Sequence, residues 1–272
     1  MTKLKASKRV VVKVGTSTLT YENGGVNFRR IEKLARVLSD LHNSGKDVIL
    51  VSSGAIGVGV GLMGFSSRPH ETRFKQALAA IGQCELMSLY GKFFEEYGQK
   101  VGQILLTRNV IENEDTKRNI QNTIETLLEM RVIPIVNEND TVATDELEGA
   151  NIGDNDTLSA VVAGIIDADT LIFLTDIDGL YDADPHKNPA AKLIPVVESV
   201  TEEIKNLAGG SGSSRGTGGM ITKVSAVETA NRYGIDVIVC SGENPTVLYK
   251  LFDGENIGTI FMANPAGRCP HD

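Results

Sequence analysis

The sequence predicts an α/β protein built on a mainly parallel sheet. Short β-branched runs recur along its 272 residues, segments with helical periodicity stand between them, and no long linker interrupts the alternation. Residues 9–14 form the first strand, carrying Val10, Val11, Val12 and Val14. Residues 28–43 place Ile31, Leu34, Ala35, Leu38 and Leu41 at helical spacing. Residues 47–51 read as a second buried strand that runs through Ser52, Ser53 and Gly54 into a helix. A long helical stretch (about 71–97), a strand (101–106), an amphipathic helix (116–130) and a strand (132–136) follow. Residues 141–152 are polar and suggest a hairpin or flap; 155–166 is a helix rich in small residues, and 170–174 a strand. Beyond a seam near residue 168 the theme repeats, with helices at 201–207, 220–233 and 244–252 and strands at 236–240 and 258–261. Residues 209–219 hold six glycines in eleven positions and read as a loop. Residues 264–272 read as a loose tail.

Composition narrows the function classes. Hydrophobic residues make up 41% and charged residues 23%, enough to bury a core and against global disorder. The net charge of −8 argues against a nucleic-acid or anionic-membrane surface. No apolar run approaches the roughly 18 residues of a membrane span. Lys13 breaks the run of Val10, Val11 and Val12, so the basic start has no signal-peptide core. Cys84, Cys240 and Cys269 stand far apart and read as free thiols in a reducing, cytoplasmic compartment. His42, His70, His186 and His271 show no metal-binding spacing and read as surface or packing residues.

Six segments carry candidate chemistry. Lys13, Gly15, Thr16 and Ser17 lie at the end of the first strand; a strand lysine needs a partner for its charge, and the turn after it suits phosphate oxygens. Ser53 and Gly54 lie between a strand end and a helix N-terminus, which suits either an anion or a plain cap. Asn137, Glu138, Asn139 and Asp140 follow another strand, as a ligand site or a solvated turn. Asp154, Asn155 and Asp156 either cap a helix or orient an amine, a metal ion or lysines. Thr175 and Asp176 end a strand before an acidic loop. Thr217, Gly218, Gly219, Met220, Ile221, Thr222 and Lys223 offer open amides and a cation at a helix start. Gly59, Gly61 and Gly64 match the dinucleotide spacing but do not follow a strand directly, which disfavours a nicotinamide site.

In this order, VVVKVGTSTLT, SSGAIGVG, VNENDTVAT, GDNDTLSA, LTDIDGLYDADP and GTGGMITK resemble the amino-acid kinase family, specifically its glutamate-phosphorylating members, from about residue 8 to 261. Aspartate and N-acetylglutamate kinases carry a doubled glycine after the first lysine, where this chain has Val14, Gly15 and Thr16. The resemblance implies a three-layer αβα sandwich around about eight strands. It implies one domain over 1–262, with a glutamate-binding lobe (1–168), a nucleotide-binding lobe (169–262) and a tail (263–272). It also implies a form without the C-terminal PUA domain that many relatives carry. The implied reaction is phosphorylation of the γ-carboxylate of L-glutamate by ATP with Mg²⁺, the first step of proline biosynthesis. Ser53, Gly54, Asp140 and Asn155 would bind glutamate. Lys13, Gly15, Thr175, Asp176 and the segment from Thr217 to Lys223 would hold ATP. Lys13 and Lys223 would neutralise the transferred group, with Asp156 orienting both. Feedback inhibition by L-proline, a homo-oligomer and a glutamyl-phosphate reductase as partner are further implications. The rival readings are a kinase for aspartate or N-acetylglutamate, and a sensor that binds without transfer.

Overall fold

The computed structural model describes residues 2–21, 24–107, 113–143, 155–185, 187–209 and 219–263. Eight strands form one sheet in the order β3-β4-β2-β1-β5-β7-β8-β6. They are β1 (Arg9–Val14), β2 (Asp47–Ser52), β3 (Lys100–Leu106), β4 (Val132–Glu138), β5 (Thr170–Thr175), β6 (Val196–Val197), β7 (Asp236–Ser241) and β8 (Thr259–Phe261). The first six in spatial order are parallel; β8 runs antiparallel to β7, and β6 follows β8. β1 is central, with every residue from Val10 to Val14 buried, as expected for a β-branched run covered on both faces.

Alternation along β1 divides the core. Val10, Val12 and Val14 face one apolar cluster, which takes in helices α3 (Phe28–Asn43), α4 (Ala55–Leu62), α5 (Thr72–Glu95) and α10 (Val247–Asp253). Val11 faces the other, formed by α6 (Glu114–Glu129), α7 (Asn155–Ile165), α8 (Glu202–Gly209) and α9 (Met220–Arg232). Two shorter helices, α1 (Thr2–Ala6) and α2 (Thr16–Leu19), complete the described helices. Asn27 caps α3 by accepting from the Arg30 N–H, and Asn113 caps α6 by accepting from that of Thr116 at 3.1 Å.

Most elements fall within a few residues of expectation, and the differences have physical causes. β2 extends to Ser52 and β4 to Glu138 because pairing continues past the apolar run, Val14 with Ser52 and Leu106 with Glu138. Residues 16–19 form a helical turn where a loop was expected, and the two-residue β6 has no sequence signal. The last helix starts at Val247 rather than 244, after a turn closed by the Val247 N–H on the Asn244 carbonyl. Of the hairpin expected over 141–152, only 141–143 is described, as a turn in which Val142 and Ala143 donate to the Asn139 carbonyl. Most of the glycine-rich loop at 209–219 and of the tail lies outside the described residues.

The matched Gly59 and Gly61 are accounted for by packing. A Cβ on Gly59 would stand 2.0 Å from the Leu78 carbonyl oxygen, and one on Gly82 would stand 1.8 Å from that of Ala55. These glycines let α4 and α5 touch backbone to backbone. Gly61 lies equally close to Gly24. Gly64 adopts φ +68° after the end of α4, a conformation glycine takes freely.

Candidate active site

The carboxyl ends of β1, β2, β4, β5 and β7 lie along one edge of the sheet, where ligands of open parallel sheets bind. Lys13 lies two residues beyond Val11 and therefore on the same face, the one covered by α7. Its ammonium meets Oδ1 of Asp156 in the first turn of α7. Lys223, in the first turn of α9, reaches Oδ2 of the same carboxylate at 3.2 Å. The Thr222 hydroxyl donates to that oxygen at 3.0 Å. Asp156 is fully buried, and Lys13 and Lys223 are 6% and 4% exposed. Burial alone would push the Asp156 carboxyl up. The two ammonium groups outweigh it and hold the acid well below the usual carboxylate range. The α7 N-terminus also favours a negative charge there. The result is one anion flanked by two buried cations. The lysines come from elements 210 residues apart in sequence, and Asp156 fixes their separation.

Beside it lies a chain of amides. The Asn155 Nδ2 donates to Asn137 Oδ1 at 3.1 Å, and Asn137 Nδ2 donates to Gln83 Oε1 at 2.7 Å. Asp140, two residues beyond β4, is 7% exposed. Ser53 is half-buried, its N–H donating to the Val14 carbonyl, which ties the end of β2 to that of β1. Gly54 caps α4 with φ +98°, a left-handed conformation, and a Cβ there would press on Leu19 at 3.2 Å.

On the other side of β1, Thr175 is buried at the end of β5, its hydroxyl donating to the exposed Asp176 at 2.9 Å. Gly219 caps α9, Met220 is buried and Ile221 exposed. Gly15 caps α2, and a Cβ on it would meet only Ser17 Oγ at 3.8 Å, so packing within the chain does not require glycine there. Thr217 and Gly218 lie outside the described residues. The structure thus brings Lys13, Asp156, Thr222 and Lys223 into direct contact and sets Asn155 beside them. Ser53, Gly54, Gly15, Thr175 and Asp176 occupy neighbouring strand ends. Gln83 was not anticipated: it sits within a long helical pattern, and its partner is 54 residues away in sequence.

No described histidine bonds to these residues. His70 is exposed; His42 is buried near Arg131, and burial followed by that charge lowers its pKa.

The two lysines bridged by one acid set two buried cations at the carboxyl edge of the sheet, where ligands of open parallel sheets bind. The Amino acid kinase family model matches residues 8–241, and the chain belongs to that family. It is 59% identical over 261 residues to the glutamate 5-kinase of Clostridium perfringens, covering 96% of this chain and 97% of that one. The glutamate 5-kinase of Listeria monocytogenes is 54% identical (96% and 95% covered), and that of Lactiplantibacillus plantarum 51% (95% and 98% covered). Among solved structures, UMP kinase from Ureaplasma parvum aligns with a TM-score of 0.61 at 14% identity, covering 94% of this chain and 99% of that one, and shares the fold.

Proposed function

We propose that this chain transfers the terminal phosphoryl group of ATP to the γ-carboxylate of L-glutamate, giving L-glutamyl 5-phosphate and ADP, the first step of proline biosynthesis. The observation that carries the reading is the buried Asp156 bridging Lys13 and Lys223; the kinship with glutamate 5-kinases supports the choice of acid. A glutamate γ-carboxylate, with a pKa of about 4.3, is already an anion at neutral pH, so attack on phosphorus needs no general base. One carboxylate oxygen bonds to the γ-phosphorus while the bond to the β–γ bridging oxygen breaks, and ADP leaves with that electron pair. The work left to the protein is positioning and charge neutralisation. Lys13 and Lys223, held apart by Asp156, neutralise the oxygens of the transferred group. Asp156 remains ionised and takes no proton.

Ser53, Gly54, Asp140 and Asn155 bind glutamate in this reading. Lys13, Gly15, Thr175, Asp176 and the segment from Thr217 to Lys223 hold ATP. The lobes divide near residue 168. Among the described residues no group of three or more His, Cys, Asp or Glu side chains is placed to hold a metal ion. Mg²⁺ would enter with the nucleotide and would need no such cage, and Asp156 is already engaged by the two lysines. The ion would supply further neutralisation of phosphate charge.

Release of ADP with ATP, Mg²⁺ and L-glutamate, against L-aspartate and N-acetyl-L-glutamate, tests the reading, with hydroxylamine trapping the acyl phosphate. Glutamate-dependent hydroxamate is expected; turnover only with another acid overturns the substrate. Inhibition by millimolar L-proline through the glutamate site, a cytoplasmic location and delivery of product to a glutamyl-phosphate reductase belong to the same reading. So does self-association, which exposed Leu62, Met63, Phe65 and Phe74 favour and light scattering would measure. No described helix is long and apolar enough to cross a membrane.

A further inference from the structure

The amide chain at the end of β4 has a fixed polarity. The Glu138 backbone N–H, which can only donate, points at Asn137 Oδ1 at 2.8 Å. That contact identifies the Asn137 atom as oxygen without appeal to how an amide is drawn. Two consequences follow along the chain. The other end of the Asn137 amide is a donor, so the Gln83 atom it meets at 2.7 Å is the acceptor Oε1. The Asn155 atom that meets Asn137 Oδ1 at 3.1 Å must donate, so it is Nδ2. Asn155 is therefore left with its carbonyl oxygen uncommitted. That oxygen is buried, Asn155 is 5% exposed, and no described group donates to it. Neither a carboxylate nor a phosphate oxygen could satisfy it; only a donor can.

We propose that Gln83 and Asn137 are positioning residues that lock Asn155 with its carbonyl toward the ligand, so that the site selects an acid bearing a free α-ammonium group. The inference rests on the reading of Asn155 as a glutamate contact and assigns which end of glutamate it takes. Gln83 touches no substrate. It accepts from Asn137 and so holds the amide that holds Asn155. An acid without the ammonium leaves the buried oxygen unpaired, and an N-acylated one offers a single bulky N–H in place of three donors.

The test compares L-glutamate with glutarate, which lacks the amino group, in the wild type and in Gln83→Met and Gln83→Glu. Gln83 is half-buried and near-isosteric changes there spare the core, which thermal melts check. Methionine offers no acceptor of comparable strength, so the Asn137 Nδ2 turns away and Asn155 is released. Loss of that order raises the KM for glutamate about tenfold and shrinks the preference over glutarate about tenfold, with kcat and the KM for ATP within about twofold. Glutamate at position 83 still accepts from Asn137 and restores the preference. The inference is overturned if the wild type handles glutamate and glutarate alike, if Gln83→Met keeps the preference, or if Gln83→Glu fails as Gln83→Met does. A wild type that turns over aspartate instead of glutamate overturns the substrate, and the same variants are then read with aspartate against succinate.

Discussion

Replacing Asp156 with asparagine separates the two jobs its carboxylate performs. The side chain is fully buried, the Lys13 and Lys223 side chains are nearly so, and both ammonium groups pair with this acid. Asparagine keeps the shape and one carbonyl acceptor but removes the negative charge that the two lysines share. Removing one partner of a buried pair costs about 3–5 kcal/mol, and retention of an acceptor argues for the lower end. For a chain of this size that is a fall in Tm on the order of 10 °C. The same loss frees the lysines from their common anchor, and displacing one charge-stabilising donor lowers kcat by about 10²–10³-fold. ATP brings the missing negative charge, so ATP should raise the Tm of Asp156→Asn by more than it raises that of the wild type. Differential scanning fluorimetry with and without nucleotide, beside steady-state kinetics, reads all three effects. The reasoning fails if the variant melts within a degree or two of the wild type, or if ATP stabilises both proteins equally. The pH dependence has a definite sign. A carboxyl whose folded pKa is depressed contributes stability that is complete above its unfolded value of about 3.9 and is lost as pH falls below it. The wild type should therefore lose stability below about pH 4 more steeply than Asp156→Asn, which has no such group to protonate.

Other substitutions probe neighbouring parts. Lys13→Ala and Lys223→Ala should each lower kcat by about 10²-fold or more, and kinetics within about threefold of wild type would remove the assigned role. Gly82→Ala sets a methyl 1.8 Å from the Ala55 carbonyl oxygen, so α4 must move off α5. Overpacking of that kind costs about 1–3 kcal/mol, and the shift of Gly54 should raise the KM for glutamate while leaving that for ATP unchanged. Arg9 pairs with Glu125 and Asp47 and donates to the Ile166 carbonyl at the opposite edge of the sheet. Arg9→Met should lower Tm and leave kcat within about twofold. Burial raises the Cys240 thiol to about 12, whereas Cys84 is exposed. A thiol reagent at pH 8 should label Cys84 in the folded protein and Cys240 only after unfolding.

The sheet was legible because most of its parallel strands are short apolar runs rich in β-branched residues, and that signal survives without tertiary context. The strand ends were less so. Ser52, Asn137 and Glu138 are polar and read as loop, yet they pair with neighbouring strands and are buried; partners from distant elements satisfy Ser52 and Asn137. The Ser52 hydroxyl, for instance, meets that of Tyr90 at 2.8 Å. Lys13 shows how far a local argument reaches. A lysine amid valines must find a counter-charge, and strand alternation assigns it the face of Val11. Neither step says which acid waits there. Asp154 and Asp156 both stood in the same motif; the packing of α7 on that face brings Asp156 to the lysine, and Asp154 lies outside the described residues. Gln83 marks the other limit. Nothing in a helical pattern separates it from its exposed neighbours, because its function depends on an amide 54 residues away. Residues that touch charge announce themselves through the cost of burying it; residues that only orient an amide carry no such cost until the fold brings the amide to them.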